Sequence, residues 1–292
     1  MFSGSLVAIA TPMRPDGALD LEAWGRLIDW HAEHGTSGIV VGGTTGESAT
    51  LSDAELRELT VRACERARGR LPVIAGAGSS STAATVARVA WLSELPIDAL
   101  LIVTPAYNRP SQEGLFQHFS AVAAAAAKPL VLYNVPARTA VDLKPATAAR
   151  LSRVRGIVGL KEALPEVTRV RELLASCAPG FTVLSGDDAT AREFIDAGAR
   201  GVISVTANVA PRQMSEMVAA ALAGDLERAR ALDRPLAGLH RELFVEANPI
   251  PVKWLLARMG LMSHGLRLPL TPLAEEYRSD VLAAARACGI SA

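Results

Sequence analysis

The sequence predicts an α/β protein: a (β/α)8 TIM barrel followed by a helical C-terminal extension. Three observations carry that expectation. Short, continuous apolar runs recur eight times, roughly 20 to 35 residues apart. A longer segment with helical periodicity follows each run. After the eighth run no strand signal returns. A strand that is apolar at every position is buried on both faces, which is the condition of a parallel sheet covered by helices. Eight such units in about 220 residues suit a closed barrel, with a doubly wound open sheet as the alternative.

The runs are Val7–Ala10, Gly38–Val41, Pro72–Ala75, Ala99–Val103, Pro129–Tyr133, Ile157–Leu160, Phe181–Leu184 and Gly201–Val205. Helix starts between them are marked. Ser52-Asp53-Ala54-Glu55 has the spacing of a capping box ahead of Leu56 and Leu59. Ser111-Gln112-Glu113 opens another helix, and Ser79-Ser80-Ser81-Thr82 reads as a turn and cap. Residues 1–224 are assigned to the barrel and 225–292 to the extension, where Pro249 and Pro251 precede the apolar Val252-Lys253-Trp254-Leu255-Leu256.

Composition narrows the function classes. Half of the 292 residues are hydrophobic, and 30 basic residues balance 30 acidic ones. No basic stripe favours nucleic acid, and no apolar run approaches the length of a membrane span. The N-terminal residues lack a charged segment ahead of an apolar one, so no secretion signal is expected. Cys64, Cys177 and Cys288 are far apart and odd in number. They predict free thiols in a reducing compartment, hence a cytoplasmic protein. The five histidines show no metal-ligand spacing.

In such barrels the chemistry lies where the strands end. The second strand runs into Gly42-Gly43-Thr44-Thr45-Gly46-Glu47, and the fourth into Thr104-Pro105-Ala106-Tyr107-Asn108-Arg109. The fifth ends in Tyr133-Asn134-Val135-Pro136-Ala137-Arg138, the sixth in Lys161-Glu162 and the seventh in Ser185-Gly186-Asp187-Asp188. Lys161 is one of only four lysines, and it ends an apolar strand. Burial there removes hydration from an ammonium and favours the neutral amine. Bringing a pKa of ~10.4 down by about three units makes roughly half of the lysine nucleophilic near neutral pH, at about 4 kcal/mol against the charged form. A neutral lysine attacks ketones to give Schiff bases. The rival reading pairs Lys161 with Glu162.

Each neighbour also has two readings. Gly42–Glu47 lacks the GxxxxGK[ST] spacing of a phosphate loop; it is a tight turn, or a place where amides and hydroxyls approach a carboxylate. Tyr133 is a packed tyrosine, or the phenol that moves protons on and off a carbinolamine. Arg138 is a solvated charge, or a bidentate carboxylate ligand. Tyr107 lies in a loop, where an exposed aromatic favours contact with a partner. Asp187-Asp188 reads as a helix cap in preference to a magnesium site.

Taken together and in order, these segments resemble one family. Gly38–Ser48, Tyr107–Gly114, Tyr133–Thr139, Gly159–Ala163, Ser185–Asp188, Gly201–Asn208 and Asn248–Trp254 are similar to the signatures of the dihydrodipicolinate synthase/N-acetylneuraminate lyase family, across essentially the whole chain. The resemblance implies a Schiff-base-forming lyase in lysine and diaminopimelate biosynthesis that condenses pyruvate with L-aspartate 4-semialdehyde. Lys161 would form the imine. Tyr133, Thr44 and Tyr107 would relay protons, Tyr107 reaching in from a neighbouring subunit. Thr45 would hold the pyruvate carboxylate and Arg138 that of the semialdehyde, while Gly186 and the Ile203 carbonyl line the site. It implies no organic cofactor or catalytic metal, and a homotetramer built from two tight dimers. The alternatives are another pyruvate-dependent class I aldolase, acting on sialic acid or keto-deoxy-sugars, and a barrel that only senses a keto acid.

Lysine-inhibited members carry two histidines, an asparagine, a glutamate and a tyrosine around the inhibitor; the matching positions here are Asp53, Leu56, Ser80, Ala84 and Ala106. The expected outcome in a steady-state assay with added L-lysine is weak or absent inhibition. A submillimolar inhibition constant contradicts it.

Overall fold

The computed structural model describes residues 2–292. Its eight strands are all parallel, each pairs with its sequence neighbours, and the eighth closes on the first. They are β1 Gly4–Ala8, β2 Gly38–Val41, β3 Val73–Gly76, β4 Ala99–Val103, β5 Leu130–Asn134, β6 Ile157–Glu162, β7 Thr182–Ser185 and β8 Gly201–Ser204. The closed parallel barrel is thus the expected fold; the open sheet is not formed.

Every strand is apolar at consecutive positions because both faces are buried. Leu6, Val40, Ile74, Leu101, Val131, Leu184 and Ile203 fill the barrel interior. Val7, Ile39, Val73, Leu100, Leu132, Leu160 and Val183 point outward and pack with the helices. Each such side chain contributes roughly 1.5–3 kcal/mol on full burial, so neither face tolerates a polar replacement cheaply.

Most strand ends fall one to three residues from the expected ones, and in three cases a backbone N–H that is missing or already engaged gives the reason. Pro72 has no N–H to give the ladder, so β3 begins at Val73. β1 stops before Ile9 and Ala10 because the Ala10 N–H donates to Asn208 Oδ1 at 2.9 Å. β8 stops at Ser204 because the Val205 and Thr206 N–H groups both donate to Asp188 Oδ2, at 2.9 Å each. Asp188 is therefore a tie between β7 and β8 and not a helix cap. Its neighbour Asp187 does the local work, accepting from Thr190 N at 3.0 Å and Thr190 Oγ1 at 2.7 Å just ahead of the helix Ala191–Asp196.

Ser52 and Glu55 form the expected reciprocal capping box on helix Asp53–Ala67. Ser81 and Ser111 cap helices Thr82–Ser93 and Gln112–Ala125. Beyond helix Pro211–Leu222 the chain continues as helices Leu226–Asp233, Leu236–Glu242, Ile250–Arg258 and Glu275–Ala287. The first of these packs on Pro211–Leu222 and the last on Leu236–Glu242. The segment from Asn248 to Arg267 lies across the rim where the strands end. There the Lys253 ammonium meets Glu47, and the Arg267 guanidinium holds Glu55 while also donating to the Thr50 carbonyl at 2.7 Å and the Gly17 carbonyl at 2.9 Å. Among the described residues, no helix is long and apolar enough to cross a membrane.

The Arg267 hydrogen bond holds the Glu55 carboxyl down to about 2, against ~4.3 in an unfolded chain. A carboxyl depressed in the folded state adds stability above its unfolded pKa and loses it as pH falls through the folded value. Melting temperature followed by circular dichroism should therefore fall between about pH 5 and pH 2. Glu55→Gln, which cannot ionise, should start lower at neutral pH and fall less steeply across that range.

Candidate active site

The site begins with the pairing of β5 and β6. Leu130 aligns with Ile157, but the register then shifts by one, so that Val131 aligns with Gly159, Tyr133 with Lys161 and Asn134 with Glu162. Successive side chains on a strand point to opposite faces, and a slip of one residue exchanges the faces. Unshifted, the pairing would place Leu160 inside and Lys161 among the helices. The bulge instead sends Leu160 outward and brings Lys161 into the barrel beside Tyr133. Gly159 permits it: a Cβ there would lie 2.6 Å from the Thr182 carbonyl oxygen of β7.

The opposite faces of the same two pairs lock the register. Asn134 Nδ2 donates to both Glu162 oxygens at 3.0 Å and to Asp142 Oδ1 at 2.8 Å. Arg169 Nε donates to Glu162 Oε2 at 2.8 Å, and its Nη2 to Asp142 Oδ1 at 2.7 Å. Burial pushes the Glu162 carboxyl up and Arg169 pulls it back, with burial the stronger. The reading that paired Lys161 with Glu162 is thereby removed: Glu162 faces away and its partners are Arg169 and Asn134.

Lys161 is left 5 % exposed at the floor of a cavity of about 350 Å³. Among the described residues it makes no hydrogen bond and no ion pair; its Nζ lies 4.3 Å from the Tyr133 ring centroid. A Cβ on Gly186 would lie 2.9 Å from Lys161 Cε and 3.1 Å from its Cγ, so only glycine leaves the lysine room. Thr44, Thr45, Val205 and Arg138 line the same cavity. Thr44 and Tyr133 also line a second, narrow cavity of about 40 Å³ beside Gly76–Gly78, large enough for about one water. These two residues thus separate the reaction cavity from a small recess.

Of the residues singled out from sequence, the fold gathers Lys161, Tyr133, Thr44, Thr45, Gly186 and Arg138 around one cavity. Arg138 stands exposed at its mouth, its Nη2 only 3.5 Å from the Asn248 carbonyl oxygen. Ile203 is wholly buried in β8 within the barrel interior. Tyr107 is not brought in by its own chain. It is 95 % exposed on a backbone with φ of +74°, unusual for a bulky residue. Sequence reasoning assigned nothing to Asn248, Lys253, Glu47 or Phe244. Yet Phe244 and Asn248 line the cavity, and Asn248 Nδ2 donates to Thr45 Oγ1 at 3.0 Å. A signal was present for Lys253, a second lysine inside an apolar run. No group of three or more metal-ligating side chains occurs among the described residues.

Comparison with known proteins gives a consistent result. A sequence profile described as the dihydrodipicolinate synthetase family matches residues 1–288. The chain belongs to that family. Among its relatives in the family, the 4-hydroxy-tetrahydrodipicolinate synthase of Azoarcus sp. (strain BH72) is 55 % identical over 292 residues, covering 100 % of both chains. That of Methylococcus capsulatus is 53 % identical over 99 % of this chain and 100 % of its own. Of solved family structures, the chloride-inhibited dihydrodipicolinate synthase of Acinetobacter baumannii complexed with pyruvate superposes with a TM-score of 0.98 at 48 % identity, covering 99 % of this chain and 100 % of that one. The enzyme of Aquifex aeolicus gives 0.96 at 41 % identity, with 99 % of each chain covered.

Gly186→Ala tests the packing around the lysine. The added methyl must displace Lys161, a strain of about 1–3 kcal/mol. The expected result is a rate of imine formation with pyruvate, read by borohydride trapping, reduced about tenfold or more, with the circular dichroism spectrum unchanged. Trapping at the wild-type rate contradicts the placement.

Proposed function

We propose that the chain condenses pyruvate with L-aspartate 4-semialdehyde through a Schiff base on Lys161, a reading supported by its full-length relatives in the dihydrodipicolinate synthetase family, which are named 4-hydroxy-tetrahydrodipicolinate synthase. One observation carries the reading: a buried lysine that forms no ion pair among the described residues lies at the floor of a cavity that has hydroxyls on one wall and a guanidinium at its mouth.

The chemistry follows from those groups. The Lys161 amine adds to the pyruvate ketone, and the carbinolamine loses water to give a protonated imine. Tyr133 handles the protons of that exchange, and Thr44 passes them toward the recess behind it. The imine withdraws electrons from the adjacent carbon, a methyl proton leaves, and the enamine adds to the aldehyde carbon of the second substrate. The amine of that substrate then attacks the imine carbon, closes the ring and frees Lys161. Thr45 holds the pyruvate carboxylate, Arg138 the carboxylate of the semialdehyde, and Gly186 and the Ile203 carbonyl shape the wall. The lysine is itself the electron sink, so the reaction calls for no organic cofactor or catalytic metal.

Tyr107 joins the relay from a second copy of the chain. Its near-complete exposure at the rim supports this role, and it makes the active assembly at least a dimer. Two such dimers form the tetramer, and the enzyme works in the cytoplasm, where Cys64, Cys177 and Cys288 stay unpaired thiols.

Turnover with L-aspartate 4-semialdehyde compared with sialic acid and keto-deoxy-sugar acids tests the assignment. The semialdehyde should be the preferred substrate by kcat/KM. Arg138→Leu should raise its KM by about tenfold to a hundredfold, the worth of a charge-assisted pair, and leave imine formation with pyruvate unchanged. Faster turnover of the sugar acids would overturn the assignment.

A further inference from the structure

The chain has two buried lysines, and only one is in the reaction cavity. Lys253 is 2 % exposed, on helix Ile250–Arg258 of the C-terminal extension. Its ammonium pairs with Glu47, whose side chain is also buried. Glu47 Oε2 accepts in addition from the Arg267 N–H at 3.1 Å. Burial pulls the Lys253 ammonium down and Glu47 pulls it back, with burial the stronger. A buried pair of this kind is a poor source of stability, since well-packed apolar groups commonly do as well or better. Glu47 also sits at φ of +56°, a backbone conformation that disfavours a side chain. The fold retains a costly pair at a strained position, and what the pair does is join two segments.

The joined segments meet at the substrate. On one side of the pair is the loop that carries Thr44 and Thr45, only two residues before Glu47. On the other, five residues before Lys253 and just ahead of its helix, is Asn248. Its Nδ2 donates to Thr45 Oγ1 at 3.0 Å, and its carbonyl oxygen accepts from Arg138 at 3.5 Å. An amide NH2 has no acceptor capacity, so the Thr45 oxygen must be the acceptor in that contact. Its own proton therefore points elsewhere, free to be donated to a carboxylate in the cavity. Asn248 Oδ1, buried and without a partner among the described residues, does not compete for that proton.

We propose that Glu47 and Lys253 are positioning residues for the first substrate: their pair anchors the C-terminal extension on the rim so that Asn248 fixes the Thr45 hydroxyl as a hydrogen-bond donor to the keto-acid carboxylate. The proposal rests on the reading of Lys161 and Thr45 given above. It makes the extension part of the active site, acting through one amide.

The test separates the two levels. Wild type, Asn248→Ala and the neutral double variant Glu47→Gln/Lys253→Met are titrated with pyruvate, trapped with borohydride and quantified by intact mass, alongside thermal melts. Gln keeps the acceptor for the Arg267 N–H. The pyruvate concentration for half-maximal trapping should rise about tenfold in both variants, the effect of one hydrogen bond to a charged group. The plateau at saturating pyruvate should reach the wild-type level. A merely structural pair would lower the melting temperature and leave the half-maximal concentration within about twofold of wild type, and that result overturns the proposal. If the double variant does not fold, Asn248→Ala decides alone by the same criterion. Failure of the wild type to trap pyruvate would refute the Schiff-base reading itself, which is a different outcome from trapping without a shift.

Discussion

A single extra residue in β6 decides which side of the barrel wall Lys161 faces. The rest of the site depends on it. Side chains alternate along a strand with no intermediate setting, so a lysine near the end of β6 is either in the cavity or among the outer helices. The bulge between Leu130 and Val131 puts it in the cavity, opposite Tyr133. The same shift puts Glu162 outside, opposite Asn134, where Arg169 neutralises it. One register therefore does two things: it brings the amine to the phenol, and it turns the neighbouring Glu162 carboxylate away from the lysine.

The outward network is stiff because it has more acceptors and donors engaged than any slip could satisfy. Glu162 accepts from Asn134, from Arg169 and from the Leu164 N–H at 2.9 Å. Moving β6 by one residue would bury that carboxylate without partners, a penalty of several kcal/mol. Apolar packing alone would not be so selective, since Leu160 and Val158 suit either face. The polar cluster is what makes the register unique, and the catalytic geometry inherits that uniqueness.

The barrel was legible in the sequence because burial on both faces leaves a period-free apolar run, and eight of those leave little choice. Helix starts were legible where a side chain caps its own helix, as at Ser52, Ser81 and Ser111. What could not be read were long-range substitutions for backbone pairing. Asn208 ends β1 from nearly 200 residues away, and Asp188 ends β8 instead of capping a helix. The bulge was equally hidden, although Gly159 inside an apolar run is the kind of residue that marks one. For the site, reactive residues at strand ends pointed to Lys161, Tyr133 and Arg138, and the family resemblance added Thr44, Thr45 and Gly186; all six line one cavity. Asn248, Glu47 and Lys253 went unassigned because their importance lies in contacts between distant segments. The argument that singled out Lys161, a lysine among apolar residues, applied equally to Lys253; the difference between the two is that Lys253 forms an ion pair with Glu47 and Lys161 forms none among the described residues.

That difference is also the most direct point of attack. Peptide mapping of the borohydride-reduced adduct with pyruvate locates the reactive amine among Lys128, Lys144, Lys161 and Lys253. A single adduct at Lys161, with Lys253 unmodified although it is just as buried, is the result that follows from an unpaired lysine facing the cavity. An adduct on Lys253, or none on Lys161, would contradict it.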